Sequence, residues 1–162
     1  MQGQGEQMGS RGILAWLGLA GFALWQCCQR AWVTDDAFLY FRYAENWAHH
    51  GLGPVYNAGE WVLGVSSPLW LVLLSGAAAM GLDLPTAAMG LGGICAVAGV
   101  LLLLGRPPRA LYPLAALLLV FPRGMADYMT SGLESGAVLL VCAGMVRGFA
   151  KASRKEGDWD LA

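Results

Sequence analysis

Two adjacent carboxylates, Asp35 and Asp36, stand directly after the first apolar segment of a chain that is otherwise largely lipid-soluble. A charge at a membrane boundary costs free energy unless it is hydrated, paired or used. The pair therefore offers a proton acceptor for general-base chemistry or oxygen donors for a divalent metal. The plainer reading is capping of a helix that begins at Thr34, whose first turn favours acidic residues. Neighbours on a helix sit about 100° apart, so Asp35 and Asp36 cannot both face one site; one is expected to point at chemistry and the other at a partner or solvent. Asp36, Tyr40, Tyr43 and Trp47 recur at helical spacing on one face, while Arg42, Glu45 and His49 group elsewhere. Glu134, in a second polar island from Arg123 to Ser135, is a candidate second carboxylate; its plain alternative is an exposed helix-start residue. Asp127 has Arg123 as an i, i+4 partner and is assigned no chemistry. His49 and His50 lack carboxylates at ligand spacing and read as solvated.

The elements that must position these groups are those of a membrane protein. Of 162 residues, 57% are hydrophobic and 13% charged, against about 25% charged in soluble domains. The expected fold is all-α, a polytopic transmembrane helix bundle with an interfacial amphipathic helix in its first outer loop. A net charge of −1 gives no basic surface for nucleic acid. Cys27, Cys28, Cys95 and Cys142 all lie in apolar runs without metal-ligand spacing and read as small core residues.

Apolar runs fall at about 12–28, 68–80, 86–105, 110–122 and 136–150, after a polar tail over 1–11 that reads as disordered and cytoplasmic. The first run reads as an uncleaved helix, because no small-residue cleavage site follows it. Residues 29–67 form the polar outer loop. Its helix is expected to end at Gly51, and Tyr and Trp on the amphipathic face suit headgroup depth. Trp32, Trp47, Trp61 and Trp70 read chiefly as interface anchors. Pro68 suits a helix start, and Gly92 with Ala96 permits close helix packing. The basic tail over 151–162 and Arg11 should both be cytoplasmic, which demands an even number of crossings. The run 110–122, shortest and flanked by Pro113 and Pro122, is the first candidate not to cross; alternatively 68–80 and 86–105 cross once between them. Either solution puts both acidic islands on one side.

Thr34-Asp35-Asp36-Ala37-Phe38, Phe41-Arg42-Tyr43-Ala44 and Asn46 resemble the GT-C class of polytopic glycosyltransferases, in particular its bacterial arabinofuranosyl- and mannosyltransferase-like branch. The resemblance continues through Gly51–Glu60, Gly64-Val65-Ser66-Ser67-Pro68-Leu69-Trp70 and Thr130-Ser131-Gly132-Leu133-Glu134, in order over roughly residues 12–150. It implies a multi-pass protein of a bacterial inner membrane. Its members transfer a sugar from a polyprenyl-phosphate donor to a cell-envelope glycan or protein acceptor on the outer face. It further implies Asp35, Asp36 and Glu134 as catalytic residues, with Asp35 and Asp36 as ligands if a divalent metal is used. Arg42, Tyr40 and Tyr43 are then candidates for binding substrate. Members of the class are usually much longer, and Val65 stands where relatives often carry Tyr. The rival expectation is a non-catalytic small membrane protein that assembles with a second polytopic subunit or binds a lipid-linked glycan.

Overall fold

The computed structural model describes residues 10–62, 64–104 and 123–157. They form six helices: α1 (Ser10–Gln29), α2 (Asp35–Ala48), α3 (Pro68–Ala79), α4 (Leu84–Leu104), α5 (Arg123–Met129) and α6 (Ser135–Gly157). The expected all-helical character holds among the described residues. The apolar run 110–122 and the tail beyond Gly157 lie outside them.

Local sequence sets the helix ends. Thr34 takes the position before α2 in extended backbone, but its side chain makes no capping hydrogen bond. The first turn is served instead by Asp35 and Asp36, whose charge complements the helix dipole. Gly51, at φ 63°, turns the chain three residues past Ala48, so that the Leu52 N–H returns to Asn46 O at 3.2 Å. Pro68 opens α3 as expected. Gly81, at φ 74°, closes it: the Gly81 N–H donates to Ala78 O (2.8 Å) and the Leu82 N–H to Ala77 O (3.1 Å). This paired return satisfies carbonyls that a helix end leaves open. Asp83 then starts α4 by accepting both the Thr86 N–H (3.1 Å) and the Thr86 hydroxyl (2.6 Å).

One core joins α2, α3 and the start of α4, with Tyr40, Tyr43, Trp70, Leu74, Leu84 and Ala88 buried in it. A second contact pairs α4 with α6. Gly92 faces Gly136, and Gly99 faces Leu139 and Leu140, so the two helices run in the same direction. The approach is backbone to backbone: a Cβ on Gly136 would stand 2.1 Å from Gly92 O. α1 joins at its C-terminal end, where Cys27 lies against Gly93.

Two described helices are long and apolar enough to cross a membrane, over Leu84–Leu103 and Ser135–Ser153. α3 is apolar but has 12 residues, about 18 Å of helix, against a hydrocarbon core of about 30 Å.

Candidate functional site

The loop after α2 runs back along the helix that precedes it, fastened at three heights. Asn46, Tyr43 and Tyr40 lie three residues apart on one side of α2. Asn46 Nδ2 donates to Val55 O and Tyr56 O, both at 2.9 Å. The Tyr43 hydroxyl donates to Val62 O and accepts the Gly64 N–H at 3.0 Å. The Tyr40 hydroxyl accepts the Ser67 N–H at 2.9 Å and lies 3.1 Å from Ser66 Oγ. Gly64 has to be glycine here, since a Cβ would sit 2.7 Å from the Tyr43 hydroxyl.

The second polar island docks on the other side of this loop. The Thr34 N–H donates to Ser131 O (3.0 Å), and Thr130 Oγ1 donates to Arg30 O (3.3 Å). Gly132, at φ 85°, packs so close to α2 that a Cβ would lie 2.9 Å from Ala37 Cβ. Its carbonyl accepts the Trp70 indole N–H at 3.1 Å. Glu134 then receives the Ser66 hydroxyl on Oε1 at 3.2 Å. Three of the four segments that carry the resemblance thus meet at the Tyr40–Ser66–Glu134 line, and the fourth, Gly51–Glu60, is fastened to Asn46 at the other end of α2.

The candidate residues divide by position. Asp35 and Asp36 are exposed at the start of α2. Asp36 is one helical turn before Tyr40 and on its side. Asp35 lies about 100° round the helix, in line with Arg42 seven residues later. Arg42 is exposed, about 200° from Tyr40, so the structure does not bring it to Glu134. Glu45, His49 and His50 are exposed too. Tyr40 and Tyr43 are 4% and 1% exposed, which places them in the core rather than at headgroup depth. The cause is that both hydroxyls are taken up by the returning loop. Phe38, Leu39 and Trp47 are the exposed apolar residues of α2.

Asp127 meets Arg30 at 3.6 Å, both partly exposed, and its carbonyl accepts the Trp32 indole N–H at 2.9 Å. The expected Arg123 partner has its side chain outside the described residues. Trp70, expected as an interface anchor, is 1% exposed. Among the described residues no group of three or more His, Cys, Asp or Glu could hold a metal ion. Asp35 and Asp36 diverge around the helix, so this donor set does not fit a protein-held metal. Beside the site, an open apolar cavity of about 330 Å³ is lined by Trp47, Pro54, Trp61, Val65, Pro68 and Leu71, among others. Val65 therefore faces apolar space on one side of the loop while Ser66 meets Glu134 on the other.

Sequence reasoning missed Ser66, Asn46 and Gly132 as working parts. All three lie in segments that carry the resemblance, and Ser66 also stands out as a polar residue inside an uncharged stretch from Trp61 to Leu82, but neither signal gave it a role.

Among curated proteins, a terminal β-(1→2)-arabinofuranosyltransferase of Mycobacterium tuberculosis (strain ATCC 25618 / H37Rv) is 35% identical to this chain over 143 residues, covering 78% of this chain and 23% of that protein. The chain is thus related to a glycosyltransferase and spans about a quarter of that relative's length. No protein-family model matches the chain, and no solved structure matches it.

Proposed function

We propose that this chain carries the acidic-island module of a membrane glycosyltransferase of the GT-C type, which transfers a sugar from a polyprenyl-phosphate donor to a cell-envelope glycan or protein acceptor. The observation that carries the reading is the similarity to an arabinofuranosyltransferase, with the convergence of both islands on Ser66 and Glu134 in support. Two helices of bilayer length support residence in a membrane. The site then opens on the outer face of a bacterial inner membrane, where lipid-linked sugars are presented.

The chemistry asked of the site is a displacement at the anomeric carbon. The acceptor hydroxyl oxygen forms the new bond to that carbon, and the bond from carbon to the lipid phosphate oxygen breaks. The phosphate leaves with the electron pair. The hydroxyl proton passes to a carboxylate, since a sugar hydroxyl is a poor nucleophile until deprotonated. Glu134 and Asp36 are the carboxylates we assign to receive it, and no step is assigned to a metal.

The test is transfer from a synthetic polyprenyl-phosphoryl-arabinofuranose to an arabinofuranosyl oligosaccharide, by the full-length protein in membranes. Transfer is expected from the wild type, with Glu134→Gln and Asp36→Asn each reducing it by about a hundredfold or more. Wild-type rates in both variants would refute the carboxylate assignment. No transfer of any sugar tried would refute the reading of the chain.

A further inference from the structure

Ser66 sits between a buried tyrosine and an acidic residue 68 positions away, and the direction of its hydrogen bonds can be worked out. The Tyr40 hydroxyl accepts the Ser67 N–H at 2.9 Å, so its own proton is available to donate. An ionised carboxylate can only accept. Ser66 must therefore give its single proton to Glu134 Oε1, 3.2 Å away, and receive the Tyr40 proton across 3.1 Å. The result is a one-way chain from Ser67 N–H to Tyr40 to Ser66 to Glu134. Each member polarises the next, and such chains strengthen cooperatively.

We infer that Ser66, held by Tyr40, is a positioning residue that aims Glu134 at the acceptor hydroxyl; this rests on the reading of the chain as a glycosyltransferase module. Three features make the aim rigid. Tyr40 is buried in the α2–α3 core and cannot swing. Glu134 is tied at its backbone, where its carbonyl accepts the Val138 N–H at 2.9 Å in the first turn of α6. Ahead of it, Gly132 is pressed on Ala37. With Oε1 engaged by Ser66, Oε2 accepts no hydrogen bond among the described residues and is the atom left to take a proton. Tyr40 is then a positioning residue as well, and does not bind substrate.

The experiment uses the full-length protein in membranes and two readouts on the same preparations. The first is transfer from a synthetic polyprenyl-phosphoryl-arabinofuranose, resolved into kcat and KM. The second is the rate at which a water-soluble carbodiimide modifies Glu134, followed by peptide mass spectrometry, which needs no activity. Ser66 is exposed, so Ser66→Ala should fold, and an unchanged Tm verifies it. Ser66→Ala is expected to lower kcat about tenfold to a hundredfold with KM unchanged, and to raise the modification rate of Glu134 severalfold. Ser66→Thr, which keeps the hydroxyl, should restore both. Wild-type kcat and modification rate in Ser66→Ala would overturn the inference, as would a KM effect alone. If the wild type transfers no sugar, the functional reading fails by itself. The modification rate then decides the Ser66–Glu134 coupling: an increase reversed by Thr upholds it, and no change overturns it.

Discussion

At the scale of single residues, α2 uses residues 40, 43 and 46 to bind the loop that follows it, and the cost of losing each follows from what it leaves behind. Tyr43→Phe keeps the buried ring but strips partners from Val62 O and the Gly64 N–H. Asn46→Ala strips them from Val55 O and Tyr56 O at a residue that is 1% exposed. A buried polar group without a partner costs about 1–3 kcal/mol. Both variants should therefore lower stability by about that much, read as a reduced Tm in detergent. A Tm unchanged in both would mean that the loop is not held this way. The acidic pair separates on the same geometry. Asp36 shares the Tyr40 side of α2 and Asp35 shares the Arg42 side, so Asp36→Asn should cost far more transfer activity than Asp35→Asn. Equal losses would show that the two act as a unit. The sequence made legible which residues share a face, because a period of 3.6 determines that. It did not reveal what covers the face, so tyrosines that suit a membrane interface proved to be core. Ser66 was out of reach for another reason: its partner lies in a segment that only the tertiary fold brings near.

At the scale of elements, helix starts and stops were legible because they are local chemistry, while helix partners were not. Pro68 and Gly81 bound α3 where turn chemistry puts them. Gly92 read as a packing residue, but its partner Gly136 did not. The glycines now make contrasting predictions. Gly136→Ala would push a Cβ into the Gly92 carbonyl, forcing α4 and α6 apart at a cost of about 1–3 kcal/mol. Gly144→Ala meets nothing within 4 Å and replaces a poor helix former, so it should be neutral or stabilising by up to about 1 kcal/mol. A Tm that falls equally in both would contradict the close α4–α6 approach. Asp83 adds a dependence on pH. The Thr86 hydroxyl, and then the Thr86 N–H, hold its carboxyl below the ordinary carboxylate range. A depressed value in the folded state means that the cap contributes above the unfolded value, near pH ~4, and is lost as pH falls through the folded one. Asp83→Asn should flatten the Tm profile in that acid window and leave its shape between pH 6 and 8 unchanged.

At the scale of the whole molecule, the question is which apolar runs cross. The stretch from Trp61 to Leu82 carries no charge. α3 within it turns Trp70, Leu71 and Leu74 inward while leaving Leu69, Val72 and Leu73 exposed. A helix apolar on both sides needs an apolar medium on its free side, yet about 18 Å of helix matches one leaflet, not two. α4 and α6 have the length that α3 lacks, and only 11% of the apolar window of α6 is buried, leaving it a broad surface for lipid. Since α4 and α6 run in the same direction, both would leave the site end for the opposite side, and Arg147 and Lys151, in the last part of the α6 apolar segment, would put that end on the cytoplasmic side by the positive-inside bias. We propose that α3 is seated in the outer leaflet beside the Trp47 and Trp61 cavity, entering and leaving on one side. This arrangement favours the single crossing between runs 68–80 and 86–105 over a full crossing by each. In a cysteine-free background, Asn57→Cys and Asp83→Cys should both react with a membrane-impermeant maleimide on intact cells, and Lys151→Cys only after permeabilisation. Labelling of positions 57 and 83 from opposite sides would make α3 a crossing helix and break the arrangement. Labelling of 151 from outside would reverse α6 and take Glu134 away from the face on which the sugar donor is presented.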